Sequence, residues 1–562
     1  MFIFAGMKIR ILSFFFLLSF GLKAQDADSL LKMSIEELLS ISIDVGSRAE
    51  AKSSFQSLVP VEVITASEIR ASGFSDLGMV IQRMVPASQY LQPVLMDGAD
   101  HVFPLSLRGF SADQVLVLIN GKRRNQTALV FENSRINKGA AAVDFRSIPI
   151  NAVERVEILK DGAAAQYGSD AIAGIINIIL KEEPEVSASL NVGATYEGDG
   201  SFREFLTGFG KKYKNGNVQF YANYRDKSFV DRAGKDERMQ YFEGDPRNTG
   251  VPVKNHRYGL ASSTDFDLQF NASLDLGSQN SFYIVGMRNQ RDGESPGYFR
   301  RPLDSRNVRA IYPDGFLPKI KPLLTNLSGG FGLKGNLSNW ETDISLMYGS
   351  NNMDYYVDNS LNTSMGVQSP GSFYCGRQFL SQSTINIDLK RNLNIKTYKP
   401  LSFAFGAEMR NEIFEVAKGD ENSYKNGGVL VLDGPDAGKA ASIGAQVLPG
   451  FMPSNEIVRS RSNAAIYLDL ENQLCSFMSF GLAGRAEKYS DFGSTWDGKF
   501  SVRIELIEKM ALRGSVSSGF RAPSLAQSYY SSTVTNFIDG EPYENGTFIV
   551  DHPLSRDRKS VV

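Results

Sequence analysis

A chain of 562 residues is too long for one ordinary core, and 60 Lys plus Arg against 62 Asp plus Glu, with a formal net charge of −2, gives no pull toward nucleic acid. The two cysteines, Cys375 and Cys475, exclude a disulfide framework. No apolar run of roughly 18 residues follows the N-terminus, which excludes a helical membrane protein but leaves a barrel open. In chain order, a basic flank at Lys8 and Arg10, an apolar core over 11–22 and Ala24 read as an export signal over residues 1–24. Residues 25–50 form a lead segment in which Ser34 and Glu37 have capping-box spacing, followed by the alternation Ile41-Ser42-Ile43-Asp44-Val45. Residues 51–185 read as a compact α/β domain: strands at 61–64, Val115–Ile119, Val153–Leu159 and 175–180, helices from Ser67 and over 76–84, and a turn at Asn120-Gly121.

From 186 to 556 the texture becomes strands with period-two alternation. Phe266, Leu268, Phe270, Ala272 and Leu274 oppose Asp265, Asp267, Gln269, Asn271 and Ser273; Val218 to Tyr224 and Ala464 to Leu470 repeat the pattern. About thirteen such strands end by Ser518, and their links alternate between tight (214–217, 277–280, 335–339, 473–475) and long (228–263, 291–323, 354–379, 416–455). A soluble sandwich also alternates, but short turns on one rim and long loops on the other belong to an outer-membrane barrel. The fold expected is a transmembrane antiparallel β-barrel preceded by an N-terminal α/β domain. Up-and-down order puts Cys375, in a long link, and Cys475, in a short one, on opposite rims, too far apart for a disulfide.

Several segments resemble TonB-dependent outer-membrane receptors. Leu107-Arg108-Gly109-Phe110 with Asp113 to Arg124 is similar to the family's first plug signature. Ile148-Pro149, Glu154 to Gly162 and Tyr167 to Ile178 are similar to the second, and Tyr489-Ser490-Asp491-Phe492-Gly493 and Gly519 to Leu525 to barrel motifs. The resemblance implies a plug in a barrel of about 22 strands, of which about thirteen are present. Asp557 to Val562 match a frame of a common sequencing adapter and read as a foreign tail, so the C-terminal strands are expected to be missing.

The resemblance also implies function: TonB-dependent import across a Gram-negative outer membrane of a scarce ligand, a ferric siderophore above cobalamin, a peptide or a saccharide. The partners implied are TonB with its inner-membrane energising complex, outer-membrane lipid, and a small ligand such as a metal chelate. Ile41, Ser42, Ile43, Asp44 and Val45 are the expected TonB box, a strand that adds to the coupling partner. The other reading of that segment is the plug's own first strand. Arg108 and Arg155 are expected to face the barrel wall and pair with Glu408. Met96, Asp97, His101, Phe103, Arg124 and Phe131 are expected on plug loops that meet the ligand. No cofactor is expected, and haem is disfavoured because Leu525-Ala526-Gln527 follows the Phe-Arg-Ala-Pro motif where haem receptors carry a histidine. His101 beside Asp97 and Asp100 is read as a solvated loop histidine rather than a metal ligand. A surface adhesin or phage-receptor barrel is the alternative of another class. It needs neither plug nor box, and no Ser, His and acid set marks an enzyme.

Overall fold

The computed structural model describes residues 42–556 except 47, 49–51, 54, 133–135, 278, 508–509 and 539–540. The export signal, the Ser34 turn, Ile41 and the 557–562 tail lie outside the described residues. Strands β1 (Ser42–Ile43) and β2 (Lys52–Ser53) pair as a short antiparallel ribbon. β3 (Val61–Thr65) runs into α1 (Ala66–Ala71), which begins there because Thr65 and Glu68 form a reciprocal capping box. α2 (Leu77–Met84) is capped by Asp76, whose carboxylate accepts from Gly78 N at 2.9 Å. β4 (Ser88–Tyr90) pairs with β5 (Leu105–Leu107).

The plug is built on β6 (Val115–Ile119), β7 (Lys122–Arg123), β8 (Val153–Leu159) and β9 (Gly174–Leu180), which with β3 form one sheet in the order β3-β8-β9-β6-β7. β6 and β9 are parallel, and all five β6 residues are buried. Such a strand is covered on both faces and reads as an unbroken apolar run. Val115, Val117 and Ile119 enter a core shared with α2, while Leu116 and Leu118 pack on the other face with Val45, Leu159 and Ile175. Asn120 and Gly121 both have positive φ, 49° and 76°, the turn a two-residue hairpin needs.

Thirteen antiparallel strands follow, each bonded to its neighbours in sequence. They are β10 (Val186–Gly193), β11 (Phe202–Tyr213), β12 (Gly216–Lys227), β13 (Ser262–Asp275), β14 (Ser281–Pro296), β15 (Lys319–Leu337) and β16 (Trp340–Asp358). Then come β17 (Phe373–Leu393), β18 (Leu401–Ala417), β19 (Ile457–Cys475), β20 (Met478–Tyr489), β21 (Gly493–Ile507) and β22 (Met510–Ser517). Phe266 and Leu274 are 46% and 49% exposed, whereas Asp265 and Asp267 on the opposite face are at most 1% exposed. Apolar outside and polar inside inverts a soluble sandwich and is the pattern of a barrel wall in lipid. The sheet is open: among the described residues β10 and β22 are not paired with each other.

The strands outrun the expected ones. The long links shrink to 228–261, 297–318, 359–372 and 418–456, because the ladders continue through polar positions such as Asp292 and Glu294 above the apolar band. One long-rim link, 490–492, is tight, and there Tyr489 stacks on Phe492 at 4.3 Å. Cys375 is therefore not in a loop: it is the extra residue of a bulge in β17, buried, with its thiol donating to Leu448 O at 3.3 Å. Cys475 ends β19 at the other rim, and both thiols are free.

Candidate functional site

Inside the wall the plug is held by two sets of contacts, one on its N-terminal segment and one around its loops. Ile43 and Val45 are 3% and 2% exposed in the plug core, while Asp44 between them points outward. The backbone N–H groups of Asp44 and Val45 donate to Glu157 Oε2 at 3.0 and 3.2 Å. Arg155 bridges the pair, Nη2 to Asp44 at 3.0 Å and Nε to Glu157 at 2.8 Å. Burial pushes the Glu157 carboxyl above its ordinary range. Three residues on, the Arg48 guanidinium lies between the rings of Tyr167 of the plug and Tyr467 of the wall, 4.7 and 4.3 Å from their centroids, and pairs with Asp388 at 3.0 Å. Asp388 also holds Lys122 of β7 at 3.0 Å, and Lys122 reaches Asp343 at 3.1 Å.

The expected lock of Arg108 and Arg155 on Glu408 is corrected by this geometry. Arg155 is spent on Asp44 and Glu157, its neighbours on the same strand face and the docked segment. Arg108 donates to Lys160 O at 3.1 Å within the plug. Glu408 does face the interior, but its partners are wall groups, Arg485 and Asn386, each at 3.4 Å. Much of the lock runs in the opposite sense, from wall cation to plug acid. Arg291 of β14, fully buried, pairs with Asp144 of the plug at 2.8 Å and also with Asp265 of β13. Lys499 of β21 meets Asp161 at 3.2 Å, and Arg521 meets Asp113 at 3.0 Å. Neutral contacts extend it. Asn351, Asn326, Asn289 and Asp267 form a side-chain ladder across β16 to β13, and Asn351 Oδ1 accepts from Ala128 N of the plug at 2.8 Å.

Sequence reading missed these roles although three of the residues stood in the quoted motifs. Asp113 and Asp161 belong to the two plug signatures and Arg521 to a barrel motif. The motifs meet one another at the plug's seat. Gly162 shows how closely: a Cβ there would lie 2.5 Å from Ser517 Oγ of the wall.

Four of the six ligand-facing assignments are also corrected. Asp97 is exposed at a loop tip with φ 52°, and Met96 packs half-buried on the apolar cluster beneath the long loops. His101, Phe103, Arg124 and Phe131 are all buried. His101 Nε2 contacts Ser295 Oγ at 2.8 Å and its carbonyl accepts from Arg291, so it is neither solvated nor ligand-facing. Phe103 lies under the guanidinium of Arg146 at 4.2 Å, and Phe131 is sealed against the wall in the Met353 and Phe414 cluster. The loops carrying these side chains turn inward because their apolar residues find the wall's apolar upper band. Among the described residues no group of three His, Cys, Asp or Glu could hold a metal ion.

A plug sheet seated by ion pairs inside an antiparallel wall matches two family models: the TonB-dependent Receptor Plug Domain over residues 54–175, and the TonB dependent receptor-like, beta-barrel over residues 272–550. The chain belongs to the TonB-dependent receptors. It is 36% identical over 152 residues to the Vitamin B12 transporter BtuB of Vibrio vulnificus (strain CMCP6), covering 26% of this chain and 22% of that one. It is 22% identical over 501 residues to the Ferric enterobactin receptor PirA of Pseudomonas aeruginosa, covering 83% and 59%. Two solved receptor structures share the fold. The ferric enterobactin receptor PfeA in complex with BCV-L6 has a TM-score of 0.60 at 17% identity over 84% of this chain and 64% of that one. The siderophore receptor PirA from Acinetobacter baumannii has a TM-score of 0.56 at 17% identity over 92% and 67%. The chain thus spans part of the length of the curated relatives it matches. As in other TonB-dependent receptors, the strand wall belongs in the outer membrane.

Proposed function

We propose that this receptor takes up a ferric siderophore across the outer membrane, driven by TonB pulling on the segment 41–45. The observation that carries the reading is the docked segment itself. Ser42 and Ile43 pair with Ser53 and Lys52 in a two-residue ribbon at the plug's N-terminal edge, and the next two backbone donors, Asp44 N and Val45 N, are held on one carboxylate, Glu157, outside any ladder. Such donors can be released from Glu157 to the carbonyl acceptors of an incoming strand. Arg48 ties the same segment to the wall through Asp388, so a pull there acts on both plug and barrel. The siderophore is preferred to cobalamin because the relatives named for ferric enterobactin align along 83% of this chain, whereas those named for vitamin B12 align along about a quarter.

The test uses the intact receptor in a strain lacking its own copy. Ferric enterobactin uptake under iron limitation is expected. Deletion of 41–45 is expected to abolish uptake while surface binding persists, and cobalamin uptake serves as the parallel arm. Undiminished uptake by the deletion variant would sink the TonB assignment, and uptake of cobalamin alone would move the substrate.

A further inference from the structure

Beside β7, the edge strand of the plug sheet, two small adjoining clefts separate plug from wall, and Arg123, Arg124 and Gln382 line both. The larger is also lined by Arg410, Arg461, Asp170 and Glu412, so four guanidinium groups meet two carboxylates. Two of the four are already paired: Arg123 with Asp170 at 2.6 Å and Arg461 with Asp491 at 2.7 Å. Arg124 and Arg410 are different. Arg124 is 5% exposed and donates to neutral acceptors, Asn125 Oδ1 at 2.8 Å and Ser147 Oγ at 3.2 Å. Arg410 is 4% exposed and donates to Ser169 Oγ at 3.3 Å, with the carboxylates of Glu412, Glu408 and Glu487 acting on it from beyond ion-pair distance. Among the described residues neither forms an ion pair within 4 Å, and the Nε of each has no hydrogen-bond partner.

A buried charge is costly unless it is paired, and a guanidinium's planar fork fits an oxyanion in two-pronged fashion. Burial pulls the Arg124 pKa down to about 10, with Asp144 acting against it, in keeping with a cation short of counter-charge. We propose that the cleft is a binding site for a small oxyanion, a phosphate or a carboxylate, held between Arg124 of the plug and Arg410 of β18. The occupant is either a free anion or the carboxylate of a chelate passing the plug edge. An anion spanning those two arginines would join plug to wall at the edge strand, beside the Lys122 contact.

The site is tested on the intact receptor purified in detergent and not energised, so the result stands apart from the import reading. Thermal unfolding is followed against sodium phosphate, and separately against ferric citrate, at ionic strength held constant with NaCl. A saturable upward shift is expected in the wild type and in the exposed-site control Lys212→Gln. In Arg124→Gln and Arg410→Gln the apparent affinity should fall by roughly tenfold, the worth of a charged two-pronged contact. Should a glutamine variant not fold, Arg124→Lys, which keeps the charge and loses the fork, should weaken binding in the same direction. A shift with phosphate assigns a free anion, and one with ferric citrate alone assigns a carboxylate of the cargo. If neither exceeds NaCl, or the affinity is unchanged in the variants, the proposal is overturned.

Discussion

At Arg291 a single side chain joins three parts of the molecule. Its guanidinium meets Asp144 of the plug and Asp265 of the neighbouring strand, donates to His101 O, and stands 5.2 Å over the Phe103 ring. Arg291→Gln would leave two buried carboxylates without their cation, a loss of about 3–5 kcal/mol. Protease digestion and thermal unfolding of the intact receptor should register a loosened plug, and wild-type resistance in both would remove Arg291 from the seat. His101, packed beside it, gives a pH signature. Burial and the Arg291 charge hold its pKa at about 3 against an ordinary 6.5, with Asp265 opposing and Arg146 adding to the lowering. The unfolded chain takes that proton near 6.5 and the folded one only near 3, so the stability linked to neutral His101 is complete above about 6.5 and drains away as pH falls toward 3. His101→Gln should flatten the slope of unfolding temperature between those values. An identical slope in the variant would show that carboxylates alone cause the acid sensitivity.

Among the elements, the N-terminal segment is held by few contacts relative to the sheet it lies on. Glu157 accepts from Asp44 N, Val45 N and Asn177 Nδ2, so Glu157→Gln replaces charged hydrogen bonds by neutral ones and removes the negative charge that pairs with Arg155 Nε. A cysteine at Val45, buried in the wild type, should label faster in the Glu157→Gln background by roughly five- to tenfold, the equivalent of about 1–1.4 kcal/mol. Equal labelling would mean that the Ile43 and Val45 contacts alone hold the segment. Strands such as β6 and β13 were legible in sequence because their side-chain periods answer directly to burial on two faces or one. Partners were not legible. Arg155 falls on Asp44 and Arg291 on Asp144 only through the assembled seat, the pairs being 111 and 147 positions apart. The strand ends were misread for a related reason: alternation reports lipid contact, and the ladders continue beyond the lipid.

For the molecule as a whole, the open wall sets the sharpest requirement. Among the described residues β10 and β22 each offer one unpaired edge, and their outward residues are greasy: Leu190 and Val192 are 68% and 67% exposed, Leu512 and Val516 61% and 68%. In water such an edge invites aggregation, and in lipid each unsatisfied N–H or C=O costs several kcal/mol. Neither solvent suits a sheet of thirteen strands with free edges, whereas further antiparallel strands joining β22 to β10 would satisfy both. Residues 42–562 expressed alone should therefore collect in inclusion bodies and, after refolding into detergent, run on gels at the same position with and without heating. The same residues extended by enough strands to close the wall should run faster unheated, as folded barrels do. A heat-modifiable band from residues 42–562 alone would show that β10 and β22 pair with each other and that the wall closes at thirteen.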